Sequence, residues 1–415
     1  MTAPWDELVQ FCQEFGNYLT GYQRRLFPYF VLHDHVHAWN VFRYARSLLD
    51  SMTSDPATYA VMGCAAYLHD CGMALPPRVI NNLQLNEEDI DPRVLDKLKA
   101  KLGLNYSDYF RGSVFRLPNQ DSLDEQDAMV IRILHPFISA AYIRREFNDK
   151  LSIRSLTPDT KKDLVEAIAT IVEQHSSSVQ IKDQVKMIGG YNVDLGYLSR
   201  VLRLADAMDF SRKRAEFVYE VLLFDLIQGK RIHDVTHWVF KMAVEDVFYM
   251  PLGKKVQIVL NGSDPITSKV QLLGLLFFEI FRNFMKDFMT FSSKYPVGLS
   301  LLFNGTEVNL VLELANINSC ASCIETHIRR DKLEQFFESV QRKSSCECAQ
   351  TLLEALKAGK EVSLYDSLGQ LLAFSNIDFF RAQNPGCRSV MDSLIKLALE
   401  ECPCIRRFLQ KFNLG

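Results

Sequence analysis

The chain has no run of about 18 uninterrupted apolar residues, the length a membrane-crossing helix needs, so no transmembrane segment is expected. It also lacks a surplus of either charge: 47 Lys and Arg stand against 50 Asp and Glu, a net charge of −3. Such balance argues against nucleic acid as a bulk partner, leaving open only a local basic patch around Lys186 or Arg212. Cysteine is scarce before residue 320, where only Cys12, Cys64 and Cys71 occur, each inside an apolar helical pattern typical of reduced core thiols. That spacing excludes the disulfide framework of a small secreted protein. The first residues, MTAPWDELVQFCQEF, show no basic stretch followed by an apolar core, so a cytoplasmic location is expected. Repeats, low-complexity tracts and Pro/Ser-rich linkers are missing as well.

What is present is an ordinary globular composition, 48% hydrophobic and 23% charged over 415 residues, long enough for two or three domains. Within it, AAYLHDCGM ends an apolar helical run on two adjacent polar residues, His69 and Asp70. Buried imidazoles and carboxylates cost several kcal/mol, roughly, unless satisfied, and shared coordination of a divalent cation satisfies both at once. The dipeptide alone is weak, since His33-Asp34 repeats it. Four further residues interrupt apolar stretches in the same way. His37 opens HAWNVFRYARSLL, with Val41, Ala45 and Leu48 at helical spacing behind it; His135 lies in IRILHPFISAAYI, His175 ends AIATIVEQHSS, and Asp206 lies in VLRLADAMDFSRKR. His135 and His175 can equally be hydrogen-bonded core residues, and His33 and His35 are read as surface residues or as groups that orient His37 or touch a substrate phosphate.

The ordered set His37, His69 with Asp70, and Asp206 resembles the defining pattern of the HD superfamily of metal-dependent phosphohydrolases, over residues near 30 to near 215. His135 and His175 look like the extra ligands of its multi-metal branches, which include cyclic-nucleotide phosphodiesterases. The resemblance implies an N-terminal all-helical bundle, placed over 1–230 in a mainly α fold, and the change to β-rich runs after SRKRAEF marks a smaller α+β domain over 231–415. The resemblance also implies hydrolysis of a nucleotide or nucleotide-derived phosphoester: a hydroxide is needed at neutral pH and charge on the phosphoryl oxygens must be neutralised, and divalent metals supply both. The expected metal ligands are His37, His69, Asp70, His135, His175 and Asp206, holding two ions (Mn, Fe, Mg, Ni or Zn) about 3.5 to 4 Å apart with Asp70 bridging. Asp70 is therefore also counted as catalytic, and His135 or His35 is the expected proton donor to the leaving group. Arg203, Arg212, Lys213 and Arg214 flank Asp206 and are expected either to hold phosphate or to form a solvated helix face. One departure bears on mechanism: where the cyclic-dinucleotide branch commonly has Gly then Lys after the pair, this chain reads HDCGM, with Met73 in the place of the lysine. The alternative is thus a sensor or interaction protein that binds metal and nucleotide without cleaving, the C-terminal domain being its output. Self-association is left open.

Other segments set further expectations. An amphipathic first helix should turn Trp5, Leu8, Cys12 and Phe15 inward, and residues 74–130 read as a polar insertion with short helices that could cap the site. In the second half KKVQIVLN, GLSLLFNG and EVNLVLEL read as strands, and EVSLYDSLGQLLAF as a strand or hairpin between helical LEQFFESVQRK, CAQTLLEALKAGK and SVMDSLIKLALEE. Residues 250–320 weakly resemble the ATP-binding fold of histidine kinases and Hsp90, through Glu279 and Asn283 at Glu-x-x-x-Asn spacing, although ANINS stands where Asp-x-Gly belongs. Cys320, Cys323, Cys346, Cys348, Cys387, Cys402 and Cys404, with His327, allow either a structural zinc site or free, partly buried thiols.

Overall fold

Helices are launched along this chain by a recurring two-residue signal. Asp55-Pro56, Asp91-Pro92 and Thr157-Pro158 each place an oxygen at the cap and a proline, pre-set for helical φ, at the first turn. Asp55 Oδ1 accepts from the Thr58 amide at 2.8 Å, and Thr157 Oγ1 from that of Thr160 at 3.2 Å. The computed structural model describes residues 4–20, 34–49, 55–118, 123–151, 156–212, 219–229, 231–262, 264–274, 280, 284–311, 328–341, 346–376 and 386–414. The chain divides into two compact units, Met1–Asp209 with Asp287–Lys294, and Phe210–Lys286 with Tyr295–Gly415. Among the described residues the structure is mainly helical, and no helix is long and apolar enough to cross a membrane.

The first unit is built on α3 (Pro56–Leu68), buried along nearly its whole length. Against it pack α1 (Pro4–Thr20), α2 (His35–Leu49) and α6 (Pro158–Glu173). α5 (Glu125–Tyr142) packs on α6 and on the turn Cys71–Met73 that follows α3, and α7 (Leu195–Ala207) packs on α2. On α1, Leu8 and Cys12 are buried, whereas Trp5 and Phe15 are only partly so. The insertion expected to be polar has a core of its own. α4 (Pro92–Leu102) buries Val94, Leu95, Leu98 and Leu102, which join Leu83, Leu85, Ile90, Phe110, Phe115 and Leu117 on the α5 residues Val130, Ile131 and Leu134. Its charged residues occupy the opposite faces and mask this pattern in the sequence. Nor is the unit wholly helical. Two small hairpins interrupt it, Phe110–Arg111 with Val114–Phe115, and β1 (Val185–Ile188) with β2 (Tyr191–Asp194). The β1–β2 turn is Gly189-Gly190, with φ of 57° and 88°, the backbone sign a two-residue hairpin of this twist demands.

In the second unit β3 (Val244–Met250), β4 (Lys255–Leu260), β5 (Gly298–Phe303) and β6 (Thr306–Asn309) form one sheet in that order, with a parallel β4–β5 pair between two antiparallel ones. β4 and β5 are the strands expected from KVQIVL and GLSLLF. β3 was not anticipated, although Val244, Val247 and Tyr249 alternate inward. The segment EVSLYDSLGQLLAF is α8 (Leu364–Asn376), not a strand or hairpin. Ser363 and Asp366 exchange side-chain and backbone hydrogen bonds at its start, a capping box, and Leu364, Leu368, Leu371 and Leu372 fall on one buried face. Cys346 and Cys387 form a disulfide, which removes both from a zinc set and from the free thiols, while Cys348 and Cys402 are buried. Cys320, Cys323, His327, Glu279 and Asn283 lie outside the described residues.

Candidate metal centre

Five helical elements of the first unit each deliver part of one polar cluster. His37 comes from the first turn of α2, His69 and Asp70 from the end of α3, His135 from the middle of α5, His175 from just past α6, and Asp206 from the last turn of α7. His37, His69, Asp70 and His175 are at most 5% exposed, a degree of burial polar groups accept only when mutually satisfied. The side chains of Asp206 and His135, 33% and 16% exposed, are where the cluster meets solvent.

The donor atoms sort into two groups joined at Asp70. On one side Asp70 Oδ2 lies 3.3 Å from His37 Nε2 and 3.0 Å from His69 Nε2, and Asp206 Oδ1 lies 3.2 Å from His37 Nε2. The two imidazole nitrogens there are 3.2 Å apart. On the other side Asp70 Oδ1 lies 3.2 Å from His135 Nε2 and 3.8 Å from His175 Nε2, and those two nitrogens are 2.9 Å apart. Nitrogen and oxygen donors sit about 2.0–2.2 Å from a divalent ion, which makes the edges of its coordination polyhedron roughly 3.0–3.4 Å. The triad His37, His69, Asp70 meets that spacing, Asp70, His135, His175 brackets it at 2.9 to 3.8 Å, and a third group, His69, His175, Asp206, links the two, so the buried His/Asp cluster can hold a divalent metal ion.

Every histidine is turned the same way, and the reason differs from one to the next. Nδ1 of His69 lies 2.8 Å from the Ala66 carbonyl and Nδ1 of His175 beside the Val172 carbonyl, each in the last turn of a helix, where the i→i−4 ladder runs out; the Val172 carbonyl also takes the His175 amide at 3.3 Å. His135 Nδ1 lies 2.7 Å from the Arg132 carbonyl in mid-helix. His37 stands at a helix start, and its Nδ1 lies 2.6 Å from Asp209 Oδ2 instead; Asn40 Nδ2 donates to the other oxygen of Asp209 at 3.0 Å. A carbonyl or carboxylate oxygen only accepts, so each Nδ1 carries a proton, and each Nε2 is the ring atom that faces the centre of the cluster. Asp209, buried and three residues after Asp206, is the member that sequence reasoning missed. Its only sequence signal is the second Asp of ADAMD.

Electrostatics suit the same purpose. Burial, helped by the charges of His135 and His69, holds His175 down to about 3, so its imidazole is neutral at pH 7. For His69 burial acts in the same direction, but the Asp70 carboxylate outweighs it and the net shift is upward. Burial pushes Asp206 up, yet its hydrogen bond with His37 and the neighbouring imidazoles keep its carboxyl below the usual range.

The remaining expected site residues lie elsewhere. His35 is exposed, and two residues turn a helix by roughly 200°, away from His37. Arg203 is buried; its Nε donates to the Gln174 carbonyl at 2.6 Å and its Nη2 to that of Val179, bracketing the loop that carries His175. Burial lowers this guanidinium to about 10. Arg212 belongs to the second unit and pairs with Glu245 at 2.7 Å, while Lys213 and Arg214 lie outside the described residues.

No curated protein and no solved structure is significantly similar to this chain. The HD-CE family model matches residues 27–261, more than half of its length and the whole of the cluster. An HD-type domain that gathers His37, His69, Asp70 and Asp206 around one point has the makings of a metal-dependent hydrolase, and on the match this chain belongs to the HD-CE family.

Proposed function

We propose that the chain hydrolyses a phosphoester bond in a nucleotide or nucleotide-derived substrate at the cluster centred on Asp70. The observation that carries this reading is the division of Asp70, one carboxylate oxygen facing His37 and His69 and the other facing His135 and His175. Divalent ions held there would supply an activated water at neutral pH and neutralise charge on the phosphoryl oxygens. His37, His69, Asp206 and Asp70 Oδ2 make up one position, and His135, His175 and Asp70 Oδ1 the other. The contact of His135 Nδ1 with the Arg132 carbonyl and of its Nε2 with His175 supports a ligating role for His135 over that of proton donor. Solvent reaches the cluster beside Asp206 and His135, the side from which a phosphate would approach. Purified protein loaded with manganese and screened against cyclic nucleotides, cyclic dinucleotides, nucleoside triphosphates and linear nucleotides tests the proposal. Turnover that a chelator abolishes and that Asp70→Ala lowers at least about a hundredfold is the expected result; no turnover on any phosphoester with any divalent metal would sink it.

A second reading, a sensor that binds nucleotide without cleaving it, is favoured by one observation. Met73, in the place of the branch's lysine, is buried within the apolar core of the insertion and brings no charge to the site. A nucleotide that raises the melting temperature and is recovered intact would support that reading.

A further inference from the structure

Three of the four histidines take their Nδ1 partner from a helix carbonyl, but only two of those carbonyls lie at a helix end. His135 is ten residues into α5, where the Arg132 carbonyl should receive the amide of residue 136 in the i→i−4 ladder. Residue 136 is Pro136, which has no N–H to give, and whose ring pushes against the carbonyl four residues back. That carbonyl is the one His135 Nδ1 reaches, at 2.7 Å. Pro136 is itself buried within the helix, which runs on for a further turn and more beyond it.

We infer that Pro136 is a positioning residue for His135: by withholding an amide from the Arg132 carbonyl, it reserves that oxygen for Nδ1–H and so fixes the tautomer and ring orientation that present Nε2 to Asp70 and His175. In mid-helix this is how the chain creates the acceptor that a helix end gives His69 and His175. The proline costs helix stability relative to alanine, because it removes a ladder bond and crowds the preceding turn. With alanine at 136 the ladder bond re-forms, and the amide of residue 136 competes with His135 Nδ1 for the carbonyl.

The inference rests on the metal-centre reading, and the test separates the two. Wild-type chain and Pro136→Ala are stripped with a chelator and titrated with Co²⁺, followed by calorimetry and visible absorption. The expected result is that Pro136→Ala weakens one of the two positions about 10–100-fold, the usual cost of losing a partner behind a ligand. The other position should bind as in wild type, and the metal-free variant should melt no lower than wild type. A merely structural proline gives the opposite pattern, with unchanged Co²⁺ affinity, or with both positions weakened alongside a lower melting temperature; either overturns the inference. A wild-type chain that binds no Co²⁺ overturns the metal-centre reading instead. Should Pro136→Ala fail to fold, ¹⁵N-histidine spectra of the metal-free wild type decide the matter, with His135 identified by its loss in His135→Gln. An Nδ1–H tautomer is expected, and an Nε2–H tautomer would overturn the inference.

Discussion

Asp209 illustrates what a single residue adds at this site. It does not face the other donors, yet it sets the proton on His37 and, through Asn40, is itself held in place. A carboxylate behind an imidazole ligand raises its basicity and fixes its ring. Asp209→Asn should therefore weaken metal binding at the His37 position about 10–100-fold while the circular dichroism spectrum stays unchanged, a result read directly from a Mn²⁺ titration. At this scale the sequence was informative about the members of the His/Asp cluster and silent about the residues behind them. His37, His69, Asp70, His135, His175 and Asp206 betray themselves as polar breaks in apolar helical runs. Asp209 does not, because it follows Asp206 closely enough to read as part of the same helix end, and its partner His37 lies 172 residues away. Arg203 misleads for the converse reason: a basic residue beside a ligand looks like a phosphate contact, but its helical position points it at the Gln174–Val179 loop. Replacing Arg203 by Met leaves two carbonyl acceptors without a charged donor, and should cost about 1–3 kcal/mol in chemical denaturation.

Among the elements, the turn Cys71–Met73, which follows α3 and packs on α5, makes a close demand on its backbone. The Gly72 amide donates to Ser139 Oγ at 2.8 Å, and a Cβ there would lie 2.8 Å from both that oxygen and the His135 carbonyl. Asp70 and His135 are thus brought together by backbone that tolerates no side chain between them. Gly72→Ala should force the two elements apart, lowering stability by about 1–3 kcal/mol and activity by more than stability alone explains; unchanged activity would show that the approach is not needed. Helices with regular apolar spacing were legible in the sequence, as were β4 from its β-branched run and β5 from its short leucine-rich one. The Leu364–Asn376 helix was not, because its first turn is rich in Ser, Tyr and Asp and reads as a turn, whereas those residues act as the cap. The insertion's core was hidden for a related reason: its apolar residues are spread over several short elements and interleaved with charged ones.

The molecule as a whole joins a unit that carries the cluster to a unit whose sheet takes no part in it. Two-unit character was legible in the change from helical to alternating patterns, and the family match runs from the first unit into the second, to residue 261. The run of α7 past Asp206 masks the place where the first unit ends, since Asp209 and Phe210 are neighbours in the chain yet belong to different units. Metal at about a hundred times its dissociation constant stabilises the folded state that binds it by about 2.7 kcal/mol, which for a unit of this size raises melting by about 5–10 °C. Calorimetry with and without chelator should show that shift in the transition of the first unit. The most direct test of the central claim, that Asp70 is shared by two metal positions, is elemental analysis of protein reconstituted with manganese and freed of excess. The account predicts about two ions per chain in the wild type, about one in His135→Ala and in His175→Ala, and essentially none in Asp70→Ala. A single ion per chain that survives the loss of Asp70 would contradict it.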